Sequence, residues 1–245
     1  MRLQKVLAHS GYGSRREIDR MIAQGDVLVN GLVAQPGQQI HGTEQVQIQG
    51  KKVNYSMPNH HIPRVLMMHK PTGWLCSHVR QGDQPTIYEG LPKLKKGRWI
   101  SVGRLDLNSS GLLLLTNDGT LAQMLMHPSA NLKRIYQVRA LGALDEASLA
   151  SFKSGVEIDG KTARFSHIEC LSCKGVNGKY VVSITQGRNR IVRKMFESKG
   201  LKVNRLKRIA HGPFELPEGL PAGQFTEISA GIWQLKLSRL LKKKA

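Results

Sequence analysis

Acidic residues are scarce in this chain: 17 Asp and Glu stand against 37 Lys and Arg, a formal net charge of +20 over 245 residues. Such a surface carries a broad positive potential, which favours a polyanionic partner. Long hydrophobic runs are missing as well. None approaches the roughly 20 apolar residues that cross a bilayer, so nucleic acid is preferred to a membrane. The first residues, MRLQKVLAHSGYGSRR, lack the apolar core and small-residue cleavage site of a secretory signal, which points to the cytoplasm. Cysteine is rare too. Cys76, Cys170 and Cys173 argue against a disulfide framework. The CLSC pair with His167 upstream offers three candidate metal ligands, one short of a structural zinc site, so no metal is expected. No internal repeat is evident. What is present is enough apolar material, 40% of residues, to fill the cores of one medium domain and one small one.

The first sixty residues read as a separate unit. LQKVLAHSG is a short amphipathic helix with Leu3, Val6 and Leu7 on one side, stopped by Gly11 and Gly13. Ser14-Arg15-Arg16-Glu17 is a capping box opening a second helix, Arg15 to Gln24. VLVNG then enters an Asn-Gly turn, and VQIQGKKV folds as a hairpin. Lys5, Arg15, Arg16 and Arg20 are the basic residues here, and Arg16 and Arg20 are one helical turn apart on one face. By itself such a cluster is an ordinary solvated surface. The order helix, glycine turn, Ser-Arg-Arg-Glu, helix, strand, Asn-Gly resembles the small RNA-binding fold of a ribosomal small-subunit protein, also appended to RNA-modifying enzymes. That resemblance implies that these four residues meet RNA phosphates.

NYSMPNHHIPR, 54–64, is polar, holds two prolines and has no apolar period, so it reads as a linker. Residues 61–232 then form a second domain, and 233–245 a basic tail. Strands are expected at RVLMMHKP, GLLLLTNDG, KRIYQVRAL and GKYVVSITQGR, an Asp-Gly hairpin at Asp159-Gly160, and a strand followed by a turn in LKVNRLKRIAHGPFEL. TLAQMLMHP is a short helix, Asp145 caps another that runs to Ser154, and RNRIVRKMFESKG is a third closed by Gly200. Many strands joined by hairpins with few crossover helices make this an α+β protein. The expectation is a small helix-rich domain followed by a domain built on a mixed or antiparallel sheet.

In VGRLDLNSSGLLLLTNDG, Asp106 precedes a turn and a run of four leucines. Its mundane role is to accept amide hydrogen bonds in that turn. Arg104 projects to the same side if the segment is extended, and the apolar strand gives rigid backing, so Asp106 is also well placed as a nucleophile or base. Tyr136 shares a strand face with Val138 and Ala140, and periodicity alone favours a core tyrosine whose hydroxyl finds a partner.

Gly-Arg-Leu-Asp, two residues, Ser, one residue, Gly, four aliphatics and Thr-Asn is similar to the signature of the pseudouridine synthases that act on ribosomal RNA. MMHKPTGWLCS, LKRIYQVRA and GRNRIVRKMF resemble further elements of that family, and the stretch before Gly119 is closer to its large-subunit branch. The resemblance implies a reaction that detaches uracil from its sugar, turns it and rejoins it through carbon 5, with no cofactor. It gives the nucleophile or stabiliser role to Asp106, stacking and proton removal to Tyr136, and pairing with the aspartate to Arg193. Arg104 fills the stack vacated by an extruded uridine or binds phosphate. Lys70, Arg188, Arg190, Arg205, Lys207 and Arg208 are expected to hold the RNA backbone. Gln186 stands where the family frequently has glutamate. The expected partner is ribosomal RNA or a ribosomal subunit precursor, met by a monomer without an obligate protein partner. Competing readings are a synthase for small-subunit RNA, a noncatalytic RNA-binding or assembly factor, and a hydrolase pairing Asp106 with Asp118 or Glu89.

Overall fold

The computed structural model describes residues 1–57, 62–172 and 176–242. They divide into two compact units, one of 1–63 with 92–100 and 117–119, the other of 64–91, 101–116 and 120–245. Two short segments of the expected second domain thus belong to the smaller unit.

In the smaller unit, α1 (Leu3–His9) and α2 (Arg15–Ala23) are followed by β1 (Val27–Val29), β2 (Leu32–Val33), β3 (Val46–Ile48) and β4 (Lys51–Val53). The capping box forms: the Ser14 hydroxyl accepts from the Glu17 amide at 3.1 Å, and the Ser14 amide donates to the Glu17 carboxylate at 2.5 Å. Leu3, Val6 and Leu7 of α1 meet Ile18 and Ile22 of α2 in a core shared with Val27, Val29, Ile40 and Val46. The strands pair antiparallel in the order β2-β1-β3-β4. Asn30 and Gly31, with φ of 50° and 82°, make the turn between the first two, a conformation that Asn and Gly tolerate best.

The chain continues through β5 (Val65–Lys70), β6 (Ile100–Ser101), β7 (Ser110–Thr116), α3 (Gly119–Met126), β8 (Arg134–Leu141), α4 (Glu146–Ser154), β9 (Val156–Ile158) and β10 (Lys161–Ala163). It ends with β11 (His167–Ser172), β12 (Asn177–Ile184), α5 (Ile191–Glu197), β13 (Lys202–His211), β14 (Phe214–Glu215), β15 (Phe225–Ile228) and α6 (Ala230–Lys242). The main sheet runs β11-β12-β8-β13-β7-β5-β15, antiparallel except where β13 lies parallel to β7. It is therefore mixed, as expected for the α+β class. Along that order only β11 and β12 are a hairpin, whereas the other antiparallel pairs and the parallel β13–β7 contact join strands far apart in the chain. Phe152 of α4, Phe196 of α5, Phe165 and Tyr180 make the centre of the core, and Tyr180 caps it by accepting the Leu144 amide with its hydroxyl at 2.8 Å.

Three expectations need correction. The segment read as a basic tail from 233 is helical through Lys242. Trp233 and Leu237, four apart, are buried on one face, and Lys236 donates to the Pro213 carbonyl at 3.0 Å. The third expected helix begins only at Ile191, because Arg190 has a left-handed backbone, φ 50°, that cannot continue a helix backward. Cys170 is disulfide-bonded, which removes it as a thiolate ligand; Cys173 lies outside the described residues, as does part of the 54–64 linker. Among the described residues no helix is long and apolar enough to cross a membrane.

His211, at the end of β13, is 1% exposed, and its Nε2 donates to the Leu125 carbonyl at 3.2 Å. Burial lowers its pKa from 6.5 to about 3, and the charges of Arg208 and Arg134 push the same way. The unfolded chain thus takes up this proton near pH 6.5, and the folded chain only near 3. The stability contribution is full above 6.5 and is lost as pH falls through that window. A His211→Gln variant should lose melting temperature less steeply than the parent between pH ~7 and ~4, as read by thermal denaturation.

Candidate active site

The loop that carries Asp106 enters β7, and every main-chain carbonyl from Leu105 to Ser109 accepts a hydrogen bond. The Cys76 thiol donates to Leu105 at 3.4 Å. Asp106 takes the Ser109 amide at 3.0 Å and the Lys70 ammonium at 3.2 Å. Leu107 takes the Gly73 amide at 2.8 Å, Asn108 the Arg193 guanidinium at 2.8 Å, and Ser109 again Lys70 at 2.9 Å. Three of these donors, Lys70, Gly73 and Cys76, come from the single stretch KPTGWLC. A loop with no free carbonyl has little reason to rearrange toward water, so the Asp106 side chain starts from one fixed backbone.

Gly111 explains how β7 can be so placed. Its φ is 106°, and a Cβ there would lie 2.1 Å from the Arg208 carbonyl oxygen of β13. Gly111 faces Arg208 in the parallel ladder and Lys70 in the antiparallel one. Only glycine admits both the dihedral and the approach.

Beside this loop lies a cleft of about 960 Å³. Asp106 and Tyr136, thirty positions apart in sequence, both line it, and both are half-buried. Arg104, Arg134, Lys161, Arg188, Arg190 and Arg208 line it too, whereas Asp106 is the one carboxylate among the described lining residues. Six cations around one acid make a site for a polyanion, with a volume that suits a nucleotide.

The sequence-derived residues fare unequally. Asp106, Tyr136, Arg104, Arg188 and Arg190 come together at the cleft. Arg193 is 6% exposed, and its hydrogen bonds go to the carbonyls of Val203 (2.7 Å) and Asn108 and to the Ser109 hydroxyl (3.5 Å). It attracts Asp106 through space and holds the loop, while burial and the charge of Arg190 lower its own pKa. Lys70 is fully buried, with donors on Pro71, Asp106 and Ser109 carbonyls, and is no phosphate contact. Burial lowers its pKa, offset in part by Cys76 and by Asp106. Arg208, 2% exposed with its Nε on the Leu112 carbonyl, is likewise withdrawn from solvent. Arg205 is exposed on β13 and does not line the cleft. In the other unit, Arg15, Arg16 and Arg20 are exposed and Lys5 half-buried. Arg134 and Lys161 were missed. Arg134 could have been found, since it lies two residues before Tyr136 on the same strand face; nothing local marks Lys161.

Residues 64–198 match the family described as RNA pseudouridylate synthase, and residues 1–46 the S4 domain. Over 229 residues the chain is 46% identical to a Ribosomal large subunit pseudouridine synthase B of Haemophilus influenzae, covering 93% of this chain and 64% of that one. The protein of the same name from Escherichia coli (strain K12) is 44% identical, with 93% and 79% covered. A solved crystal structure of a pseudouridylate synthase superposes with a TM-score of 0.67 at 26% identity, over 98% of this chain and 99% of that one.

Gly111→Ala should destabilise the protein by ~3 kcal/mol or more, because the added carbon meets backbone that cannot step aside. Thermal or urea denaturation measures it, and a loss under about 1 kcal/mol would contradict the close approach.

Proposed function

The chain belongs to the RNA pseudouridylate synthase family, and we propose that it isomerises uridine to pseudouridine in ribosomal RNA of the large subunit. The observation that carries this is the shared cleft, where a fixed half-buried carboxylate and a tyrosine ring face a cationic wall. The large-subunit assignment rests on the names of the two bacterial relatives. A uridine within folded RNA must be swung out before its glycosidic bond is reachable, at a cost of a few kcal/mol. Arg104, exposed at the rim, is suited to fill the vacated stack or to bind phosphate.

In the reaction the bond from the ribose anomeric carbon to N1 breaks, a bond to C5 forms, the C5 proton leaves and N1 regains one. Asp106 serves as nucleophile or stabiliser as the glycosidic bond opens, and Tyr136 stacks on the uracil with its hydroxyl near the departing C5 proton. Arg193 and Lys70 act on Asp106 through the loop they hold. The hydrolase reading finds little support, because neither Asp118 nor Glu89 lines the cleft and Glu89 is paired with Arg80. The smaller unit supplies RNA capture through Lys5, Arg15, Arg16 and Arg20. We assign the protein to the cytoplasm, acting as a monomer on ribosomal RNA or a subunit precursor.

Asp106→Asn should lower tritium release from RNA labelled at uridine C5 on the order of a thousandfold or more, while the RNA is still bound. Undiminished release in that variant sinks the assignment of Asp106, and no release from the parent sinks the enzymatic reading. Replacing Arg16 and Arg20 together by Gln should reduce the slope of log affinity against log salt by ~1.4–1.8, the share of two phosphate contacts. An unaltered slope in a filter-binding titration removes those two residues from the RNA interface.

A further inference from the structure

The β9–β10 hairpin forms a two-stranded sheet of its own, separate from the main sheet, yet Lys161 and Thr162 beyond its turn line the cleft. Ile158 and Ala163 root its strands in the core. The turn side is held differently. The Arg188 guanidinium places Nη1 on the Ile158 carbonyl at 2.9 Å and on the Lys161 carbonyl at 3.3 Å, and Nη2 on the carbonyls of Lys161 (3.3 Å) and Thr162 (3.1 Å). Gln186 completes the arrangement in both directions: its Nε2 donates to the Thr162 carbonyl at 3.1 Å, and its Oε1 accepts from Arg188 at 3.1 Å.

Two consequences follow from that geometry. An arginine bound to three carbonyls has little donor capacity left for a phosphate, so Arg188 is a poor backbone contact although it lies at the cleft. Lys161 and Arg190 are the neighbouring exposed cations that line the cleft, and Arg190 already meets the Glu197 carboxylate at 3.5 Å, so Lys161 is the better placed to meet a phosphate. The amide at 186 also matters chemically. A carboxylate there could accept from Arg188 but could not donate to Thr162, and would repel that carbonyl. Glutamine alone of the two holds both the arginine and the hairpin.

We propose that Gln186 and Arg188 are positioning residues that clamp the β9–β10 hairpin to the cleft rim, and that Lys161, presented by the clamp, binds an RNA phosphate beside the target nucleotide. The proposal rests on the RNA reading of the cleft given above and adds to it a contact and the device that places it.

The test is a salt titration of binding to a large-subunit ribosomal RNA transcript, with the full chain throughout. Lys161→Gln should lower the slope of log affinity against log salt by ~0.7–0.9, one phosphate contact. Lys153→Gln, the same charge change on the exposed side of α4, should leave the slope as in the parent. Gln186→Leu removes the two Gln186 bonds of the clamp without altering charge, and should reproduce the Lys161→Gln loss. Combined with Lys161→Gln it should add nothing further, because the clamp acts through that lysine. If Gln186→Leu fails to fold, Arg188→Lys, which keeps the charge and loses the fork, replaces it in the cycle. A parental slope for Lys161→Gln, an equal drop for Lys153→Gln, or losses that add in the double variant would each overturn the proposal. Tritium release by the parent is read separately, so failure of the clamp and failure of the enzymatic reading are told apart.

Discussion

Five consecutive carbonyls, Leu105 to Ser109, each accept a hydrogen bond, and the site depends on that. The donors arrive from three directions: the end of β5 with the stretch that follows it, the loop itself, and α5. Two are cations with almost no solvent access, Lys70 and Arg193. A buried cation is costly unless its donors are filled. Here carbonyl oxygens fill most of them, and the positive charge stays close to Asp106. Holding the loop and setting the field at the carboxylate are therefore one arrangement.

Gly111 makes that arrangement possible. The parallel contact with β13 brings the Asp106 loop alongside β8, which carries Tyr136, because β13 separates and pairs with both strands. Backbone approaches backbone there more closely than any Cβ allows. The motif glycine is thus explained by packing. The acid five positions before it stands out by the surrounding charge: in a chain short of carboxylates, it is the one carboxylate among the described residues lining a cleft that six cations also line.

Local structure was largely legible. The capping box at Ser14, the Asn-Gly and Asp-Gly hairpins, the buried leucine run and the caps of α4 all rest on interactions between residues a few positions apart, whose chemistry is the same in any context. Charged residues were less legible. Lys70 and Arg188 read as surface cations, yet one is sealed under the Asp106 loop and the other bound to a hairpin. A guanidinium or ammonium serves a phosphate or a carbonyl equally well. The helix was expected from Arg188, before the left-handed Arg190, because helical spacing says nothing about a left-handed residue. The basic tail hid a docked helix because two apolar side chains in a lysine-rich stretch are a weak signal.

The amino-acid sequence by itself determined most of the elements, the mixed α+β class and the identity of Asp106 and Tyr136 as residues to watch, since those follow from periodicity, turn chemistry and an unbroken motif. Only the tertiary structure decided which cations face the cleft, that Lys161 is among them, and that Lys70 and Arg193 serve the loop. Those outcomes depend on strands far apart in the chain meeting at Gly111, and on where each long flexible side chain finds its acceptors. No local pattern encodes either.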